Sequence, residues 1–475
     1  MKFLLKNATL IDTKSPFHFK TKDFLISNGK IVALEDHIDD DSAKIINYKN
    51  LHVSSSWFDP SVSFGEPGFE TKSTFHFKTK DFLISNGKIV ALEDHIDDDS
   101  AKIINYKNLH VSSSWFDPSV SFGEPGFEER ETLENGLYTA AQSGFGGVLL
   151  NPDTTPALDS HASVKHLIDK TNSAATKLYV TGALSKGNNG DQIAELNDLY
   201  LAGAKAFGDY KKHQNNTHLL RIALDYIQSF NGIIQSYPME STLSEKGLMH
   251  EGEHSIHMGV RGIPTIAETI ALSRDLELLA YTHGRMHINF ISSSAGVALV
   301  RKAKQDGLRV SASVGLPHLL YTDEDLRGFN SPFRIEPPLR SKEDRQALRE
   351  ALLDGTIDMV TTLHEPINIE LKQLEFEYCV PGSIGLEAAF GLLNRIFTLE
   401  KTISFLTRGK TAFDLPSHSI TVGSDANLTL FDPSKQYTLA LEHLISTSKN
   451  CMHLGQEMHG KVLGCLIENQ FVESK

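Results

Sequence analysis

Eight short β-rich runs, most of them followed by a helical pattern, constrain this chain more than any other feature. They fall at 115–122, 147–151, 178–182, 204–208, 232–237, 286–292, 308–315 and 357–363. Amphipathic stretches lie between them at 163–170, 218–230, 265–281, 295–306 and 343–354. Ser341-Lys342-Glu343-Asp344 offers a capping-box start to the last of these. Short strands joined by helical crossovers run parallel, and eight such units predict an α/β fold, a (β/α)8 TIM barrel. A doubly wound sheet is the alternative, but no glycine-rich dinucleotide fingerprint follows an early strand. Gly144-Phe145-Gly146-Gly147 precedes its strand and reads as a loop.

A second feature complicates the N-terminal part. Residues 13–70 recur as 71–128, and the copies differ only at Pro16 versus Thr74. There is no third copy, so this is not a solenoid. Each copy holds strand-like pieces around an Asn-Gly hairpin signal, at Asn28-Gly29 and Asn86-Gly87. Only one copy can occupy a single place in a fold. The second runs directly into the helical stretch 129–144, so it is expected to supply the first barrel strand. The first copy is then displaced, or competes for the same place.

The chain has 475 residues, 40% hydrophobic and 22% charged, which is ample for a large core. A net charge of −14 argues against a nucleic-acid or anionic-membrane partner. Cys379, Cys451 and Cys465 show no CxxC spacing, so a reduced, cytoplasmic setting is expected. The first ten residues read as a strand rather than a signal peptide. No apolar run approaches the length of a membrane span.

Chemistry in such barrels sits at the C-terminal strand ends. A binuclear hydrolase needs several imidazoles and carboxylates converging there. The rim offers Ser119-Val120-Ser121, Asp153, Asp209, His318, His364 and Glu365, spread over many strands. Ligand pairs at strand spacing are absent, so no metal site is expected. His250-Glu251-Gly252-Glu253-His254 matches the HExxH zincin pattern. Gly252 interrupts it and its flanks resemble a loop, whereas that chemistry needs both histidines on one helix face.

Several stretches together resemble the dihydroorotase family of the amidohydrolase superfamily. They are Phe122-Gly123-Glu124-Pro125-Gly126, Asn151-Pro152-Asp153-Thr154-Thr155-Pro156, Ile335-Glu336-Pro337-Pro338-Leu339-Arg340, the stretch 446–455, and Gly423-Ser424-Asp425-Ala426-Asn427. The resemblance implies a barrel over 113–412 and a small composite β-sandwich from residues 1–54 and 413–475. Carried over position by position, it also implies losses. The metal His-x-His pair falls on Ser119 and Ser121, and in the first copy on Ser61 and Ser63. The substrate arginine falls on Gly123, and the next motif's asparagine on Asp153. Metal histidines fall on Ser236 and Phe290. The catalytic aspartate falls on Leu363, and the asparagine before the paired prolines is Glu336. Asp209 matches an acidic metal position, and His364 stands beside the lost aspartate.

Zinc in the active family lowers the pKa of a bound water, and the aspartate moves its proton. No residue here keeps either role. The expectation is therefore a dihydroorotase-like protein of pyrimidine biosynthesis that binds no zinc and does not hydrolyse. The resemblance implies aspartate transcarbamoylase as its partner, and a homo-oligomer. The alternatives are an active cyclic-amide hydrolase with a rebuilt site, and a module that binds a small metabolite.

Overall fold

The computed structural model describes residues 2–11, 21–27, 30–40, 42–46, 52–54, 79–98, 100–417, 419–467 and 470–474. The chain divides into two units, Met1–Phe69 and Glu70–Lys475.

In the first unit Lys2–Ile11 is the hub of a small sheet. It pairs antiparallel with Thr21–Ser27, which pairs in turn with Lys30–Glu35. It also pairs parallel with Lys44–Ile46 and with His52–Ser54. The first copy's counterpart of the barrel strand, 57–62, and its Ser61 and Ser63, lie outside the described residues.

The second unit holds the barrel. Its strands are Trp115–Val120, Phe145–Leu150, Lys177–Gly182, Ala206–Phe207, Ile234–Ser236, Met286–Ile288, Val310–Gly315 and Met359–Thr361. They follow one another in this order as a parallel sheet. The first and last strands are brought together by a Val120–His364 bridge and by the Ser121 amide donating to the His364 carbonyl at 2.9 Å. The first strand thus comes from the second copy.

Asp117 fastens the same seam. It is fully buried and accepts from the Ser119 amide (3.1 Å), the Thr361 hydroxyl (2.7 Å) and the Thr362 amide (3.0 Å). One carboxylate therefore satisfies donors on both strands, and its burial is compensated by hydrogen bonds.

The outer helices follow the periodicity closely. His161–Lys170, Thr217–Tyr226, Thr265–Thr282, Ser294–Gln305 and Lys342–Asp354 turn Val164, Leu220, Leu272, Val300 and Leu348 toward the sheet. The last begins with a capping box between Ser341 and Asp344. A separate apolar cluster joins Phe116, Leu149, Ala206 and Met359 from four barrel strands, and Phe413 and Leu415 close it.

A second sheet joins His110–Ser113 to Leu428–Thr438, Glu457–Ile467 and Gln470–Glu473. It is composite, since its edge strand precedes the barrel and the other three follow it. The hairpin Asp81–Ser85/Lys88–Glu93 turns through Asn86 (φ 51°) and Gly87 (φ 73°). Two successive positive φ values are what an Asn-Gly hairpin turn requires. The hairpin joins the C-terminal segment through the Ile89 amide, which donates to Ser424 at 3.0 Å. No helix among the described residues is long and apolar enough to cross a membrane.

Candidate active site at the barrel mouth

The first two strands end in interleaved polar side chains. The Ser119 hydroxyl donates to the Asn151 amide oxygen at 2.8 Å. The Asn151 amide nitrogen donates to the Ser121 hydroxyl at 3.1 Å. Ser121 in turn donates to Asp153 at 2.8 Å. Strand alternation places Ser119 and Ser121 on one side of the first strand, where Asn151 reaches both. The four side chains satisfy one another. Asp153 titrates at about 6, pushed up mainly by burial and also by Glu365, and restrained by Ser121 and Lys211.

Gly123 has φ +94°, and a Cβ there would lie 2.6 Å from the Phe127 carbonyl oxygen. The loop is built around the missing side chain, so no arginine fits at this position without rebuilding it.

Asp209, after the fourth strand, is withdrawn from the mouth. One of its oxygens accepts from the Leu184 and Ser185 amides at 3.0 and 3.1 Å, and the other from the Ser185 hydroxyl at 2.6 Å. Ser236 donates to Asp275 on the helix Thr265–Thr282. Phe290 is 1% exposed. Its ring stands edge-on to Tyr210 and Tyr237, with centroids 6.2 and 6.3 Å apart. Leu363 is buried and packs on Gly315. Both take positive φ, 61° and 53°, a conformation that costs a bulky residue on the order of 1–2 kcal/mol.

The two histidines are neutral. His318 titrates at about 4 because of burial, and its Nε2 lies 3.0 Å from the Pro337 carbonyl. That nitrogen carries the proton and donates. His364 titrates at about 4 for the same reason. Its Nδ1 accepts from the Gly385 and Leu386 amides at 3.2 and 3.4 Å. The proton therefore sits on Nε2, which has no protein partner among the described residues. In this tautomer His364 offers no lone pair to the mouth.

Glu336 precedes Pro337 and lines a cavity beside the mouth. The mouth itself is crossed by a pair that sequence reasoning did not join. Lys211, after the fourth strand, lies 2.5 Å from Glu365, after the eighth. Lys211, Tyr210 and Asn151 were all missed as site residues. Asn151 alone gave a signal, since it stands two residues before Asp153 at strand spacing.

The residues present do not suit zinc. Serine, phenylalanine and leucine stand where the family resemblance implies ligands or the base, Asp209 is engaged elsewhere, and His364 presents a proton. Among the described residues no group of three or more His, Cys, Asp or Glu side chains could hold a metal ion. His250 and His254 do not share a helix. His250 ends the strand Met249–His250, the next helix starts at Glu253, and the histidines face Arg340 and Arg327 respectively.

A parallel eight-stranded barrel with a composite side sheet is the architecture of an amidohydrolase-type protein. Residues 113–295 match the family model described as dihydro-orotase-like. The dihydroorotase of Syntrophus aciditrophicus is 34% identical over 401 residues, covering 82% of this chain and 94% of that protein. That of Ruminiclostridium cellulolyticum is 33% identical over 392 residues, covering 81% and 92%. The L-hydantoinase (dihydropyrimidinase) of Arthrobacter aurescens shares the fold at TM-score 0.69 and 17% identity, over 100% of this chain and 96% of that one. The chain belongs to the dihydroorotase family.

Proposed function

We propose that this family member is catalytically silent, and that its barrel serves as a non-catalytic structural or regulatory partner of aspartate transcarbamoylase. One observation carries the first half of this reading. The serines, amide and charged groups at the mouth are engaged with one another, in the Ser119–Asn151–Ser121–Asp153 ladder and the Lys211–Glu365 pair, while, among the described residues, one ring nitrogen each of His318 and His364 is left over. Hydrolysis of a cyclic amide needs an activated water, a polarised carbonyl and a group to carry the proton. Neither the neutral, fully hydrogen-bonded serines nor Leu363 offers these. The partner rests on family resemblance alone, as does self-association.

The competing reading is a metal-dependent dihydroorotase, or a related cyclic-amide hydrolase, with a rebuilt site. Its similarity to the dihydroorotases of Syntrophus aciditrophicus and Ruminiclostridium cellulolyticum favours it. Asp209, His318 and His364 would be its first candidate ligands.

Dihydroorotate hydrolysis and its reverse, measured with and without added zinc, separate the two. The expected result is no turnover in either condition. Turnover abolished by a chelator would overturn the silent reading. Mixing with aspartate transcarbamoylase should give a complex by size exclusion with light scattering, and separate elution would remove the partner.

A further inference from the structure

Beside the plugged mouth opens a cavity of about 430 Å³, between the loops that follow the third, fourth, fifth and seventh strands. Of the positions discussed above as former ligands or substrate contacts, only Asp209 and Glu336 line it. Asp209 is already saturated by Leu184 and Ser185.

Two buried amides in its wall are half paired. Asn188, 7% exposed, donates its nitrogen to the Pro152 carbonyl at 2.6 Å, while its Oδ1 has no partner among the described residues. Gln214, 9% exposed, accepts from the Asn216 amide at 2.9 Å through Oε1, while its Nε2 has none among the described residues. Buried polar atoms are rarely left this way unless something else binds them. One of these is an acceptor that needs an N–H, and the other is a donor that needs an oxygen.

The charges show the same duality. Lys212 donates to the Asn188 carbonyl at 3.1 Å, and an ammonium has further donors to offer. Glu336 brings a carboxylate to the same cavity. Met239, Ile263 and Pro338 add an apolar patch to the wall.

We propose that this cavity binds a small zwitterion of the α-amino-acid type. Its carboxylate meets Lys212 and Gln214, and its ammonium meets Glu336 and Asn188. This goes beyond the silent-scaffold reading and does not depend on it. Turnover of dihydroorotate would overturn that reading and leave this one standing.

The test is calorimetric titration and thermal unfolding of the full chain with L-leucine, L-asparagine and L-serine. The N-acetyl derivative and the primary amide of each of the three serve as controls that each lack one charge. At least one free amino acid should give saturable heat and raise the melting temperature. The single-charge controls for that ligand class should bind roughly tenfold more weakly or worse. Lys212→Gln and Glu336→Gln should each weaken binding by a similar factor. Absence of binding by all three amino acids would overturn the proposal. So would single-charge controls that bind as tightly as the amino acid they derive from, or variants that bind like the unmodified chain. The controls act on the unmodified chain, so the outcome does not depend on how well a variant folds.

Discussion

The Lys211 ammonium lies 2.5 Å from the Glu365 carboxylate, tying the loop after the fourth barrel strand to the loop after the eighth. These strands stand opposite each other in an eight-membered ring, so the pair spans the mouth. The side chains are 11% and 18% exposed. The ammonium also lowers the pKa of Asp153, whereas Glu365 raises it. A single lysine is thus the counter-charge for two carboxylates. Lys211→Met should leave them facing each other and cost roughly 1–3 kcal/mol in urea unfolding at neutral pH, allowing for partial screening. Adding Glu365→Gln should recover much of the loss. An unchanged midpoint in the single variant would show that the pair holds nothing together.

Asp117 makes a separable prediction. Its oxygens hold the Ser119 amide and donors of Thr361 and Thr362, across the seam that closes the ring. Asp117→Ala would orphan several buried donors at once. The expected destabilisation is on the order of 3 kcal/mol or more, since each unsatisfied buried group costs about 1–3 kcal/mol. Asp117→Asn should lie between, because its amide nitrogen cannot accept. A urea midpoint for Asp117→Ala within error of the parent would contradict the seam's dependence on this carboxylate.

All eight barrel strands were legible in the sequence, because each is an apolar run between turn residues. Their ends were less so. The run 286–292 holds a strand only over Met286–Ile288, since Phe290 leaves the ladder at φ 61°. The run 204–208 keeps only Ala206–Phe207. At the site, serines at the positions where the resemblance implies His-x-His could be read directly, because serine cannot stand in for imidazole wherever it points. The replacement network could not. Lys211 and Glu365 are 154 residues apart, and only barrel closure sets them face to face. The proton on His364 is likewise decided by two amides at 385 and 386 that no local pattern links to it.

The near-identical copies give a prediction about redundancy. Deleting 13–70 or deleting 71–128 leaves two chains that differ only by Thr74 or Pro16. Both keep one Asn-Gly hairpin and one Trp-Phe-Asp-Pro-Ser-Val strand ahead of the helix Leu133–Gln142. The two deletion proteins should therefore unfold within a few degrees of each other, a single proline-for-threonine exchange being worth about 1 kcal/mol or less through the unfolded chain. They should also retain the barrel's far-ultraviolet circular dichroism. If both are insoluble while the full chain is not, the second copy of the repeat is a structural requirement rather than an addition.

The last prediction concerns acid. His287 and His453 titrate at about 3, and His318 and His364 at about 4, in each case chiefly because burial disfavours the charged ring. All four are at most 2% exposed. The unfolded chain takes up these protons near 6.5, the ordinary value for histidine, while the folded chain resists until pH 4 or 3. In that window the unfolded state binds more protons, so stability falls as pH falls. The slope is about 1.4 kcal/mol per pH unit for each histidine. Asp153 works the other way. Its pKa rises from 3.8 to about 6, so the folded state gains stability as pH drops through that interval. It offsets about one histidine and leaves a net acid lability. The urea midpoint should stay level above pH 7 and fall steeply between 6.5 and 4. His287→Gln should make that fall shallower. A midpoint flat across the window would mean that these rings are not held neutral in the folded chain.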